Sequence, residues 1–124
     1  MNKILIVEKE EPIRALYAQE LTEEGYDVIS SCDTSALMGI IEAKKPNLIV
    51  MDIWFDPGKS VDLFRTIRNS YSDLPIILCT DFLSYKYDAK PDKLGLQVVK
   101  STDLQDLKLK VKNIFEGATS RFIQ

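Results

Sequence analysis

Short apolar runs alternate with amphipathic stretches along the whole chain. Residues 3–7 (KILIV), 26–30 (YDVIS), 47–52 (NLIVMD), 75–80 (PIILCT) and 96–100 (LQVVK) read as five strands. In 47–52 every interior position is apolar, which fits a central strand covered by helices on both sides. Between the runs, apolar residues recur at helical spacing. Ile13, Leu16, Tyr17 and Leu21 share one face of a first helix, with Pro12 in its first turn and Gly25 as its C-cap. Asp33 is the expected N-cap of a second helix carrying Leu37, Ile40 and Ile41, which Pro46 closes. Phe55-Asp56-Pro57-Gly58 reads as a turn, and Ser60 as the cap of a third helix burying Leu63, Phe64 and Ile67. Residues 81–94 hold Pro91 and no sustained 3.6 period, so the fourth helix, expected there, is short or irregular. Thr102 and Gln105 form a capping-box pattern before a last helix burying Leu104, Leu107, Val111, Ile114 and Phe115.

Strands separated by helices predict an α/β fold: a five-stranded, parallel sheet with helices on both faces. In such a sheet functional groups collect at the carboxyl ends of the strands. Those ends are Glu8-Lys9-Glu10-Glu11 after the first strand, Asp52 after the third, Thr80 after the fourth and Lys100 after the fifth. A carboxylate, a hydroxyl and an ammonium on one rim suit phosphate chemistry. Asp52 can act as nucleophile toward an activated phosphoryl group, Thr80 as hydrogen-bond donor and Lys100 as its charge partner. Acids near the first strand can hold Mg²⁺, which takes oxygen ligands together with substrate phosphate. Against this stands the ordinary reading that strands of any α/β sheet end in polar residues, so only the joint pattern carries weight.

Composition narrows the classes. The 124 residues predict a single domain over 1–124, able to bury about two-thirds of its unfolded surface without a metal or disulfide staple. A net charge of −3 and a pI near 5.0 argue against direct nucleic-acid binding. The absence of histidine removes the usual general base and the commonest zinc ligand. Cys32 and Cys79 stand far apart and read as reduced thiols, and no apolar run approaches a membrane span, so a cytoplasmic setting is expected. Cys79 is expected to be buried in its strand, and Lys108, Lys110 and Lys112 to form a solvated face.

The segments ILIVEKEEPIR (4–14), PNLIVMDIW (46–54), LPIILCT (74–80) and QVVKS (97–101), in this order and spacing, resemble a response-regulator receiver domain of two-component signalling. The resemblance covers about residues 2–116 and implies a flavodoxin-like strand order, 2-1-3-4-5. It implies Asp52 as phosphoacceptor, Thr80 as switch hydroxyl, Lys100 as phosphoryl-pairing lysine, and Glu8 with Asp52 as ligands of Mg²⁺. The implied partners are a histidine kinase or phosphotransfer protein and an effector protein, with a monomer or a phosphorylation-dependent dimer as the assembly. An enzyme acting on small substrates is not implied, nor is any other cofactor.

The chain departs from the family pattern at four places. Lys9 stands where an acid normally ligates the metal, so Glu8, Lys9, Asp52 and Lys100 sum to zero charge and disfavour a cation. Gln97 replaces the usual aromatic three residues before the lysine, and Ser101 replaces a proline, which predicts a trans bond there. Residues 81–94 are poor helix material where the family carries much of its output surface. These departures support an alternative: a degenerate receiver acting as a phosphorylation-independent protein-interaction module. Flavodoxin and aspartyl-phosphatase readings are weaker. The loop after the first strand is anionic, and Trp54 occupies the second acidic position of DxDx(T/V).

Overall fold

A computed structural model of the chain describes residues 2–32, 34–52, 57–79, 96–99 and 103–123; for 52, 57–61, 96–98 and 118–123 the description is of the backbone. In chain order the elements are β1 (Lys3–Val7), α1 (Glu11–Glu23), β2 (Asp27–Ser31), α2 (Leu37–Lys44), β3 (Leu48–Asp52), α3 (Pro57–Ser70), β4 (Ile76–Cys79), β5 (Leu96–Val99) and α4 (Leu104–Ile123). The strands form one sheet in the order β2-β1-β3-β4-β5, and every pairing is parallel. The α/β fold, the parallel sheet and the strand order agree with the sequence reading. The helix expected within 81–94 lies outside the described residues, as does Trp54.

Alternation along each strand divides the core into two layers. Ile4, Ile6, Leu48, Val50, Ile77, Cys79 and Val99 pack with Tyr17 and Leu21 of α1 and with Leu107 and Val111 of α4. Leu5, Val7, Ile49, Met51, Ile76 and Leu78 pack on the opposite face with Leu37 and Ile41 of α2 and with Phe64 and Ile67 of α3. This is why β1, β3 and β4 read as unbroken apolar runs: both faces of each are covered. Each such side chain contributes about 1.5–3 kcal/mol of transfer free energy, so the central strands hold the site's backbone rigidly.

The element ends correct several expectations. Leu16 is 42% exposed, not part of the buried face. The buried stripe of α1 runs through Tyr17 and Leu21 with Ile13 and Ala18 beside it, which turns Leu16 outward. The C-cap of α1 is Glu24. Gly25 follows at φ 96°, its N–H donating to Thr22 O at 3.0 Å while Tyr26 N–H donates to Leu21 O at 3.3 Å. That pair of bonds is a Schellman motif, and the left-handed position explains the glycine.

Helix α2 begins only at Leu37, with Ala36 at its N-cap and no side-chain cap; Asp33 lies outside the described residues. Helix α3 begins at Pro57, inside the segment read as a turn, so Ser60 is within the helix and not its cap. Proline at the first helical position lacks only an N–H that would have no intrahelical partner. At α4 the cap is Asp103, whose Oδ1 accepts the N–H of Asp106 at 2.9 Å. Thr102 lies outside the described residues.

Candidate functional site at the carboxyl edge of the sheet

The register sets the carboxyl ends of the central strands level. Val7 pairs with Ser31 on one side and Met51 on the other. Asp52 pairs with Cys79, and Cys79 with Val99. Asp52 therefore closes β3 as expected, beside the point where Glu8 follows β1. Thr80 and Lys100 are the next residues in the chain after the paired Cys79 and Val99. They lie outside the described residues, so the register fixes the positions from which they depart.

Glu8 is the best-defined group of this edge. It is 1% exposed, and among the described residues it is the buried polar side chain of the core. Its N–H donates to Ser31 O at 3.0 Å, extending the β1–β2 ladder by one residue. Its Oε1 accepts the main-chain N–H of Glu10 at 2.9 Å. A buried carboxylate costs several kcal/mol unless hydrogen bonds and charge compensate it, so this acid is held in place by design of the loop. The side chains of Lys9, Glu10 and Glu11 are exposed. Glu10 thus serves the edge through its backbone amide, while its own carboxylate faces solvent.

Sequence reasoning missed Arg14. Its Nη1 donates to the carbonyl of Glu8 at 2.8 Å and to that of Lys9 at 3.4 Å. A signal was available: a cation in the first turns of a helix meets the positive end of the macrodipole, so arginine there calls for a specific partner.

Away from this edge, Cys79 is buried as expected and Cys32 is exposed. The lysines of α4 are less free than a solvated face implies. Lys108 reaches Glu20 of α1 at 2.7 Å, and Lys110 reaches Asp106 at 2.9 Å. The hydrogen bond to Glu20 holds the Lys108 ammonium above its ordinary pKa. Burial, with Glu24 and Glu116 nearby, raises that of the Tyr26 phenol.

A parallel sheet in the order β2-β1-β3-β4-β5, with helices on both faces and two acids at its carboxyl edge, defines a doubly wound α/β protein. The chain belongs to the response regulator receiver domain family, which matches it over residues 4–112.

The response regulator TrrA of Thermotoga maritima, solved in complex with Mg²⁺-BeF, is 31% identical, with a TM-score of 0.79 over 91% of this chain and 98% of that one. The complex of TrrA with the histidine kinase ThkA gives 31% identity and a TM-score of 0.78, over 91% of this chain and 97% of that one. A CheY-like receiver of Methanospirillum hungatei, at 22% identity and a TM-score of 0.84 over 98% of both chains, shares the fold. A probable transcriptional regulator, ycf27, of Porphyridium aerugineum is 28% identical over 91% of this chain and 48% of its own length. The chain thus spans about half the length of that curated relative.

Proposed function

We propose that Asp52 accepts a phosphoryl group from the phosphohistidine of a histidine kinase or phosphotransfer protein, and that the chain then exchanges protein partners, among them an effector. The observation that carries this reading is the register: Asp52, Cys79 and Val99 lie side by side, one residue before Thr80 and Lys100 in the case of the last two. The kinase complex of TrrA supports the choice of donor. A carboxylate oxygen of Asp52 attacks phosphorus, the P–N bond breaks with its electron pair leaving on the imidazole, and an acyl phosphate forms. The Thr80 hydroxyl donates to a phosphoryl oxygen, and the Lys100 ammonium balances the added charge.

The donors at this edge fit Mg²⁺, because a buried carboxylate is a hard oxygen ligand, and Mg²⁺ needs one or two such groups besides phosphate and water. Glu8 and Asp52 would hold it, and its charge would offset that on the phosphoryl oxygens. The Mg²⁺-BeF complex of TrrA supports this assignment. Lys9 weakens the site by placing a positive charge at its rim. In this reading residues 1–124 act as one receiver domain, a signalling switch and not an enzyme acting on small substrates. It works in the cytoplasm, as a monomer or a phosphorylation-dependent dimer. Among the described residues no helix is long and apolar enough to cross a membrane.

The test is incubation with acetyl phosphate and Mg²⁺, followed by peptide mass spectrometry. One phosphate mass on the peptide holding Asp52, absent in Asp52→Asn, is the expected result. An unmodified protein with and without metal overturns the reading in favour of the interaction module.

A further inference from the structure

The two residues that follow β1 turn opposite ways: Glu8 is 1% exposed while Lys9 is exposed to solvent. Side chains alternate in an extended chain, but a loop leaving a strand is under no such obligation. Something must set the main chain so that the acid turns in and the lysine turns out. The contacts identify it. Arg14 Nη1 bonds to both peptide carbonyls in question, at 2.8 Å to Glu8 and 3.4 Å to Lys9. Immediately downstream, the Glu10 N–H closes on the Glu8 carboxylate at 2.9 Å.

We infer that Arg14 is a positioning residue of the site: by gripping the Glu8 and Lys9 carbonyls from α1, it orients the loop so that the Glu10 amide fixes the Glu8 carboxylate for a divalent cation. The inference rests on the reading of Glu8 as a Mg²⁺ ligand given above. Its chemical logic is the separation of two tasks. Among the described residues the guanidinium bonds to main-chain oxygens, so it holds the loop without competing for the carboxylate. Both bonds are made by Nη1, the shorter one to Glu8, and the planar guanidinium fixes the direction of its N–H groups where a lysine ammonium rotates freely. The arrangement also limits the damage done by Lys9, since turning that side chain outward leaves its charge in water, where it is screened.

The experiment compares the parent protein with Arg14→Lys and Arg14→Gln. Two readouts are followed: the amide resonance and hydrogen exchange of Glu10 by NMR, and Mg²⁺ affinity by fluorescence of Trp54, the sole tryptophan. Arg14→Gln is expected to shift the Glu10 amide and speed its exchange while β3 and β4 amides stay protected. It is expected to weaken Mg²⁺ binding about tenfold, the usual effect of losing an outer support of a metal ligand. Arg14→Lys is expected to fall between, with saturating Mg²⁺ restoring acetyl-phosphate labelling. An unchanged Glu10 amide overturns the inference, and so does a shifted amide with unchanged Mg²⁺ affinity. A parent protein that responds to neither Mg²⁺ nor acetyl phosphate sinks the functional reading instead, and the Glu10 amide of the variants then decides alone whether Arg14 orients the loop. Should Arg14→Gln fail to fold, Arg14→Lys carries both readouts.

Discussion

Lys108 of α4 and Glu20 of α1 meet at 2.7 Å, joining the two helices that cover one face of the sheet. The hydrogen bond to Glu20 raises the Lys108 pKa above its ordinary 10.5, opposed by desolvation. Burial raises the Tyr26 phenol above 10.0, with Glu24 and Glu116 adding to it. Both shifts have the same sign. The folded state binds protons more tightly than the unfolded one, so their contribution is fully present below about pH 10 and is lost as pH rises through the folded values. The thermal midpoint should therefore fall from about pH 10 upward. In Lys108→Met and Tyr26→Phe that alkaline fall should be shallower, each variant removing one proton from the linkage. Differential scanning fluorimetry across this range checks it, and parallel curves for parent and variants would refute the assignment.

Gly25 sits at φ 96° with open space where a Cβ would stand. Gly25→Ala therefore meets no clash, and its cost is the left-handed backbone alone, about 1 kcal/mol. Urea denaturation should show a lower midpoint with an unchanged slope. Gly39, the third residue of α2 and also in open space, supplies the control: Gly39→Ala should stabilise by about 0.5 kcal/mol, because there the alanine removes unfolded-state freedom in a helical backbone.

The N-cap of α4 is Asp103, one residue after the Thr102 of the capping box expected from the sequence. Asp103→Ala should cost about 1 kcal/mol by freeing the Asp106 amide, and Asp103→Asn should cost only a few tenths, because Asn caps as well as Asp. If Thr102→Ala proves the costlier change in chemical denaturation, the capping box read from Thr102 and Gln105 is the correct one.

These contrasts show what a sequence pattern can and cannot carry. The central strands were legible because a parallel strand covered on both faces leaves an uninterrupted apolar run, as Ile49, Val50 and Met51 do. Helix starts were less so. Asp103 lies next to Thr102, Pro57 next to a turn-forming glycine, and composition does not say which of two neighbouring formers takes the cap. Leu16 was misread for a related reason, since spacing gives a face but not its width. In the site, Asp52 stood out as a lone acid closing an apolar run, whereas Glu8, one of three acids in Glu8-Lys9-Glu10-Glu11, was singled out by the family resemblance. Arg14 was missed: its place at the positive end of a helix called for a partner, but that partner is a pair of main-chain carbonyls, which have no letter in the sequence.

Lys9 offers the sharpest test of the site's electrostatics. It follows the buried Glu8 directly, and its own side chain is exposed. Lys9→Asp exchanges a positive for a negative charge at the rim, and two mechanisms of improvement then differ in their salt dependence. If the gain in Mg²⁺ affinity is long-range charge alone, it should be about tenfold at low ionic strength and shrink toward nothing near 1 M salt, where the screening length falls to about 3 Å. If the new carboxylate turns in and ligates the ion, the gain should persist in salt, since a bound oxygen lies inside that length. The exposure of Lys9 and the grip of Arg14 on its carbonyl favour the first outcome in the Arg14-containing chain. Combining Lys9→Asp with Arg14→Gln should then shift the response toward the second, because the released loop can present either side chain. Mg²⁺ titrations at two salt concentrations, read by Trp54 fluorescence, distinguish the cases. No gain at either concentration would show that the lysine does not limit cation binding at all.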